Sequence, residues 1–145
     1  MMAPRRLLLA APALLLLPRG SRASPQAMEE AVRGFTGGAE VRPGRVAMDI
    51  SPLVENGNTV PLSVIVESPM TEEDHVRAIA VFNERNPQPH VITVRLGPRS
   101  GRAILATHIR LATSQTLLAV AQLSDGGFWS DRAQVVVTLA ACVEG

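Results

Sequence analysis

The fold is decided by residues 116–139, which read TLLAVAQLSDGGFWSDRAQVVVTL. Two apolar runs flank Ser124-Asp125-Gly126-Gly127, a composition that is typical of a tight turn between paired strands. From Ala133 to Leu139, alternate residues form an apolar face with the period of a β-strand. The stretch therefore predicts a hairpin whose second strand carries the chain towards Gly145.

Five further runs have strand-like patterns. The clearest, at residues 60–67, has Val or Leu at every second position, and Pro61 indicates a strand start or sheet edge because proline cannot donate to a ladder. Residues 75–82 fit either a helix or a strand, although their Ile, Val and Phe favour a strand. The remaining runs are residues 46–50, 91–96 and 103–111.

Turn signals separate these runs. Among them is Glu55-Asn56-Gly57-Asn58, where Asn-Gly tolerates the positive φ angles of tight turns. Seven strands and no long helix predict an all-β fold over residues 46–139, an immunoglobulin-like antiparallel β-sandwich. We expect residues 24–45 to be irregular apart from a short helix at residues 25–32, capped by Ser24.

Residues 1–23 have the composition of a secretory signal peptide. Two arginines precede an apolar run at residues 7–17, which is too short to span a bilayer, and small residues suit cleavage after Ala23. The paired arginines favour the twin-arginine export route, with ordinary secretion as the alternative. Either route predicts a periplasmic location.

The charge of the chain after residue 23 argues against two classes of partner. Ten arginines and no lysine face thirteen acidic residues, which gives a net charge of −3. Nucleic acid and anionic membranes are bound by large basic surfaces. We therefore predict neither a nucleic-acid partner nor a membrane partner.

Cys142 is the only cysteine, and we expect residues 140–145 to form a mobile, accessible arm that carries it. In an exported protein, a single cysteine indicates an intermolecular bond, such as a homodimer through Cys142, or a reactive thiol. Glu144 disfavours the thiolate, and no arginine is nearer in sequence than Arg132. The thiol is therefore expected to be passive until another protein supplies a base.

Other candidate groups give weaker signals. His75, His90 and His108 lie in three different segments without metal-ligand spacing, so we predict no metal site and no cofactor. A self-contained Cys–His enzyme is disfavoured because a terminal arm cannot hold a nucleophile rigidly beside its base. The acidic residues Glu72-Glu73-Asp74 indicate an exposed loop.

Several short motifs follow one another in order: ENGNTVP at 55–61, ESPMT at 67–71, NP at 86–87, RLA at 110–112, Gln115, LSDG at 123–126 and FW at 128–129. Their order closely resembles that of the SoxY family, the sulfur-carrier subunits of the bacterial periplasmic sulfur-oxidising (Sox) system. The resemblance covers residues 30–142, and the arginine-bearing signal also fits it.

This resemblance implies a β-sandwich that pairs with a second small β-sandwich subunit, SoxZ. It also implies a role for Cys142 as the residue that carries sulfur covalently, so that a sulfur adduct takes the place of a cofactor. Separate enzymes would act on that adduct during thiosulfate oxidation: a loading haem cytochrome, a sulfate-releasing metallohydrolase and a sulfane-oxidising enzyme. The chain itself would be a carrier and no enzyme.

The sequence departs from the family around the cysteine. The family has two glycines on each side, whereas here Ala140-Ala141 precedes Cys142 and Val143-Glu144-Gly145 follows it. Alanine and β-branched valine restrict the backbone more than glycine does, and a glutamate in a narrow tunnel must be desolvated or paired. The alternative prediction is a diverged SoxY-like binding or scaffold subunit with weak or altered carrier activity.

Overall fold

The computed structural model describes residues 23–139, which form one helix and nine strands. Helix α1 spans Pro25–Thr36. The strands are β1 Val41–Pro43, β2 Val46–Asp49, β3 Leu53–Asn56, β4 Val60–Val66, β5 Val76–Asn83, β6 His90–Arg95, β7 Ile104–Ile109, β8 Gln115–Leu123 and β9 Phe128–Leu139. In this part of the chain, no helix is long and apolar enough to cross a membrane.

The strands form two sheets, which confirms the predicted all-β sandwich. The larger sheet has the order β1-β9-β8-β5-β6, with β3 also paired to β9, and the smaller sheet has the order β2-β4-β7. Strands β8 and β9 form the expected antiparallel hairpin. Residues 75–82 are confirmed as a strand, because β5 lies at the centre of the larger sheet.

Two aspects of the strand prediction were wrong. There are nine strands instead of about seven, and the two extra ones, β1 and β3, both pair with β9 in parallel instead of antiparallel. Strand β1 is only three residues long and ends in Pro43, and β3 runs directly into the Asn-Gly turn. Such short segments with half-polar composition show too little alternation to be recognised.

The core lies between the sheets and follows the predicted alternation. In β4, Val60, Leu62 and Val64 are buried while intervening side chains face outwards. Strand β2 pairs only with residues 63–66 of β4, so Pro61 has a neighbouring strand on the β7 side alone. This is why a proline is tolerated near the start of a strand that is central further along.

Residues 24–45 are more regular than the predicted irregular segment. The Ser24 hydroxyl accepts a hydrogen bond of 3.0 Å from the Ala27 amide and caps the start of α1. The helix continues one turn beyond residues 25–32 to Thr36, and Gly37 caps its end with φ 67°. The ring of Phe35, in the last turn of the helix, packs against Phe82 and Phe128 on the outer face of the larger sheet. The packed unit therefore starts with α1 and not at residue 46.

Candidate functional site at the base of the C-terminal arm

The predicted carrier residue and its neighbours lie outside the described residues. This group comprises Cys142, its flanking residues Ala140, Ala141, Val143, Glu144 and Gly145, and residues 1–22 of the signal predicted at residues 1–23. The structure does describe the segment from which the arm starts. That segment is the end of β9, and its last described residue is Leu139.

Strand β9 runs past the end of its hairpin partner. Its pairing with β8 stops at Val135, opposite the first residue of β8. Residues 136–139 continue along β3 instead, with Val136 opposite Leu53 and Leu139 opposite Asn56. The strand that leads to the cysteine therefore leaves the body of the sheet supported by β3.

Gly57 ties the end of β9 to the rest of the sandwich. Its amide donates a hydrogen bond of 2.9 Å to the Leu139 carbonyl, and its carbonyl accepts one of 2.8 Å from the Leu111 amide. Gly57 is buried in the predicted turn after β3, but it is not among the residues with positive φ. The turn was predicted correctly, but its glycine does not use the positive φ angles that Asn-Gly tolerates.

A polar network positions Leu111. Asn86 donates from its amide nitrogen to the Arg110 carbonyl at 2.8 Å, and its side-chain oxygen accepts from the Ala112 amide at 2.9 Å. The buried Gln115 donates to the same Asn86 oxygen at 2.8 Å. Since these bonds fix the backbone on both sides of Leu111, they also fix the contact that Leu111 makes with Gly57.

Two side-chain hydroxyls, those of Ser114 and Thr138, also form hydrogen bonds at the base of the arm. The Ser114 hydroxyl accepts a hydrogen bond of 2.8 Å from the Val137 amide, on the edge of β9 that β8 has left. On the other edge, the Thr138 hydroxyl lies 3.3 Å from the Glu55 carbonyl, to which it donates. The backbone before the arm is therefore held on both edges.

The short motifs of the sequence gather at the two ends of the sandwich. Those at 55–58, 86–87, 110–112 and Gln115 meet at the base of the arm. At the opposite end, the Ser124 amide donates to the His75 carbonyl at 2.8 Å. The guanidinium groups of Arg42 and Arg45 also lie there, 5.8 and 5.7 Å from the centroid of the Trp129 ring.

The three histidines make different contacts. The described residues contain no group of three His, Cys, Asp or Glu side chains that could hold a metal ion. His75 Nδ1 lies 3.0 Å from the Thr71 carbonyl, and His90 Nε2 lies 2.6 Å from the Thr93 hydroxyl. Proximity in the fold does bring His90 and His108 into one open cleft of about 370 Å³ between β6 and β7.

The acidic loop before β5 is a turn. The Thr71 amide donates to the Asp74 carbonyl at 2.9 Å, and the Asp74 amide donates back to the Thr71 hydroxyl at 3.1 Å. The Asp74 carboxylate lies 3.9 Å from Arg45, and both Glu72 and Glu73 are exposed. These contacts give the loop a structural role.

Sequence reasoning missed the part played by the backbone around Gly57 and by Ser114. The motifs that contain or adjoin these residues were recognisable, but each of them indicated only a local turn. Their meeting at the end of β9 depends on the parallel pairing of β3 with β9, which the strand pattern did not reveal.

One family of proteins matches this chain both in sequence and in structure. A family model described as "Sulfur oxidation protein SoxY" matches residues 32–142. No curated protein matches the sequence significantly. Among solved structures, the sulfur carrier protein SoxY from Chlorobium limicola f thiosulfatophilum superposes with a TM-score of 0.66 at 20% identity, covering 77% of this chain and 92% of that one.

Superoxide reductases are also similar in structure. The neelaredoxin from Ignicoccus hospitalis gives a TM-score of 0.58 at 16% identity over 80% of this chain and 94% of its own. A putative superoxide reductase from Thermotoga maritima gives 0.55 at 20% identity, over 71% and 89% of the two chains. At these identities the likeness shows a shared sandwich fold and nothing about chemistry.

Proposed function

The chain belongs to the SoxY family of sulfur oxidation proteins, and from this membership we propose that it is a non-enzymatic sulfur carrier that holds intermediates of thiosulfate oxidation on Cys142. The family match carries the proposal because it extends through residue 142 and so includes the cysteine. The hydrogen-bonded base at Leu139 supports it, since a carrier needs a firm mount for the segment that presents its cargo.

The chemistry on Cys142 balances only with partner proteins. When its thiolate forms a disulfide bond with the sulfane sulfur of thiosulfate, two electrons are released, and a haem cytochrome takes them. Water then attacks the terminal sulfonate sulfur in a metallohydrolase, which releases sulfate and a proton and leaves a persulfide on Cys142. A sulfane-oxidising enzyme acts on the persulfide. The chain supplies the thiol and the reach, while the partners supply the base, the metal and the electron acceptor.

The remaining parts of the proposal concern location and assembly. Residues 1–23 direct export to the periplasm, where these partners would be met. A SoxZ-like β-sandwich forms a heterodimer with the chain, and a homodimer through Cys142 is the form expected when the thiol is oxidised without a partner.

Intact-mass measurement tests the carrier function. After incubation with thiosulfate and the loading cytochrome, we expect the chain to gain the mass of one thiosulfate on Cys142, and the Cys142→Ser variant to gain none. The purified chain alone should show no turnover of thiosulfate. An unmodified mass for the intact chain, or full pathway activity with Cys142→Ser, would show that carrying is the wrong function.

A second candidate function rests on the residues around the cysteine. Because Ala140-Ala141 and Val143-Glu144 stand where the family has glycines, a diverged binding or scaffold subunit would keep the sandwich and load sulfur poorly. Adduct formation at a rate that supports steady thiosulfate oxidation would exclude this candidate.

A further inference from the structure

Asn56 stands directly before the glycine that is bonded to the end of β9. It is the last residue of β3 and lies opposite Leu139 across the parallel strand pair. An asparagine followed by glycine is especially prone to spontaneous deamidation, because glycine has no side chain to shield its backbone nitrogen. The other three asparagines, at positions 58, 83 and 86, are followed by threonine, glutamate and proline. Asn56 is therefore the asparagine with the most reactive neighbour.

Deamidation of Asn56 needs only water as a reagent. The backbone nitrogen of Gly57 attacks the carbonyl carbon of the Asn56 side chain, and the side-chain nitrogen leaves as ammonia together with the backbone amide proton. Water then opens the resulting succinimide ring, which gives either aspartate or isoaspartate at position 56. In isoaspartate the main chain runs through the former side chain, so the backbone is one carbon longer.

The electrophilic half of this reaction is in place in the folded chain. The Asn56 side-chain oxygen accepts a hydrogen bond of 3.0 Å from the Asn58 amide and one of 3.2 Å from the Asn58 side-chain nitrogen. These two donors polarise the carbonyl group and stabilise the negative charge that develops on its oxygen during attack. Asn56 is also exposed, so water reaches it.

The nucleophilic half is held back by the end of β9. The buried Gly57 donates its amide proton to the Leu139 carbonyl at 2.9 Å. To attack, the Gly57 nitrogen has to lose this proton and turn towards the Asn56 side chain, which breaks the bond to Leu139. The peptide cannot turn freely, because the Gly57 carbonyl is bonded to the Leu111 amide and Asn56 is paired within the sheet.

We propose that Asn56 is a deamidation site that reacts only when the end of β9 detaches from Gly57. Local opening of a strand end costs less free energy than global unfolding, so it controls the reactions of the groups that it covers. Once isoaspartate forms, the added backbone carbon shifts Gly57 relative to Leu139, and their hydrogen bond is lost. The modification thus removes a support from the start of the arm. The inference stands on these contacts and does not depend on the carrier function.

Asp125-Gly126, in the turn between β8 and β9, is a matched control site within the same chain. Aspartate followed by glycine forms the same succinimide, with loss of water instead of ammonia. Asp125 likewise accepts a hydrogen bond on its side-chain oxygen, from the Gly127 amide at 2.7 Å. The Gly126 amide is bonded to the Leu123 carbonyl, so its reaction does not depend on the end of β9.

The experiment compares variants that lose hydroxyl groups at opposite ends of the sandwich. Ser114→Ala with Thr138→Val, called the β9 variant, removes the hydrogen bonds to the Val137 amide and the Glu55 carbonyl. Ser124→Ala removes one from the His75 amide at the other end. The full chains are incubated at mildly alkaline pH, folded and in urea. Peptide mapping by mass spectrometry measures aspartate and isoaspartate at positions 56 and 125.

We expect Asn56 to convert at least about tenfold more slowly in the folded chain than in urea, because the opened strand end is a minor state. The β9 variant should convert Asn56 several-fold faster than the unsubstituted folded chain and leave the rate at Asp125 unchanged. Ser124→Ala should leave the rate at Asn56 unchanged. Asn56→Gln should nearly end conversion at this position, since the longer side chain closes a larger ring much more slowly.

Hydrogen exchange of the Gly57 amide decides whether the bond to Leu139 is the protecting contact. Across all folded samples, including sub-denaturing urea, conversion of Asn56 should rise in step with exchange of this amide. Conversion that does not follow the exchange, equal rates in the folded and unfolded chains, or an equal acceleration by Ser124→Ala would overturn the protection by Leu139. No conversion of Asn56 in urea would overturn the site itself. If the β9 variant does not fold, Ser114→Ala alone takes its place.

Discussion

The amide of Gly57 and the carbonyl of Leu139 are joined by a hydrogen bond of 2.9 Å. The glycine lies in the turn between β3 of the larger sheet and β4 of the smaller sheet, and the leucine ends the strand that leads to Cys142. Because Leu111 donates to the other side of Gly57, the base of the arm is connected to both sheets. Breaking this connection should lower the stability of the fold and loosen the end of β9, from which the arm starts.

Asn86 is the side chain that holds this connection in place. Replacing it with Ala removes three hydrogen bonds, to Arg110, Ala112 and Gln115, in a partly buried network. We expect Asn86→Ala to lower the free energy of unfolding by about 2–4 kcal/mol, measured by urea denaturation. Gln88→Ala is the control, since only the backbone carbonyl of Gln88 bonds to this network; an equal loss in both variants would contradict the assignment.

The Ser114 hydroxyl should protect the Val137 amide from hydrogen exchange. In Ser114→Ala, the Val137 amide loses its partner at 2.8 Å and is left to water. The expected cost is small, about 1 kcal/mol, but the hydrogen exchange of that amide should become clearly faster. Ser114→Thr keeps a hydroxyl group at this position and should preserve the protection. Unchanged exchange in Ser114→Ala would show that this bond does not hold the arm base.

Two glycines of the N-terminal helix should respond with opposite signs. Gly34 lies within α1, where an added Cβ meets nothing within 4 Å, so Gly34→Ala should stabilise the fold by about 0.5–1 kcal/mol through helix propensity. Gly37 has φ 67° at the end of the helix, so Gly37→Ala should destabilise it by about 1 kcal/mol. Thermal unfolding of both variants measures the difference; shifts of the same sign would contradict the described helix end.

The arm itself can be tested by restoring glycines. Replacing Ala140, Ala141, Val143 and Glu144 with Gly should raise the rate at which the loading cytochrome modifies Cys142. The backbone gains conformational freedom, and no carboxylate has to be desolvated when the arm enters a narrow active-site tunnel of the enzyme. We expect a several-fold increase, measured by the time course of the adduct mass.

The charge of the arm can be separated from its stiffness with Glu144→Gln alone. Removing the carboxylate favours the Cys142 thiolate, so alkylation by iodoacetamide at neutral pH should become faster. Val143→Gly leaves the charge in place and should leave the alkylation rate nearly unchanged. If the alkylation rate changes in Val143→Gly and not in Glu144→Gln, the stiffness of the backbone, and not the charge of Glu144, limits the reactivity of Cys142.

The sandwich could be predicted from the sequence because the pattern of apolar residues in its long strands reveals which side chains are buried. Residues 60–66 and the hairpin of β8 and β9 alternate or run apolar over seven or more positions, and this period is set by the geometry of a strand. The family resemblance was likewise readable from the order of short motifs, and the family match confirms it.

The base of the arm was not predictable in the same way. Strand β3 is four residues long, and its partner in the sheet is more than eighty residues away in sequence. Leu53 and Val136 are ordinary apolar residues in their own segments, and only the pairing of β3 with β9 makes them neighbours. Asn86 and Gly57 were recognised only as parts of short motifs, and Ser114 was not recognised at all, because their long-range hydrogen bonds leave no periodic signal.

The parallel strands on β9 have a consequence for recognition. The Val136 amide is bonded to Pro52, the Val137 amide to Ser114 and the Leu139 carbonyl to Gly57. With these main-chain groups on the two edges of β9 occupied, a partner protein would have little opportunity to add a strand of its own to residues 136–139, although strand addition is a common route to both specific binding and aggregation. If the chain is a carrier as proposed, discrimination between partner proteins would therefore rest on side chains, which can change one at a time without altering the sheet.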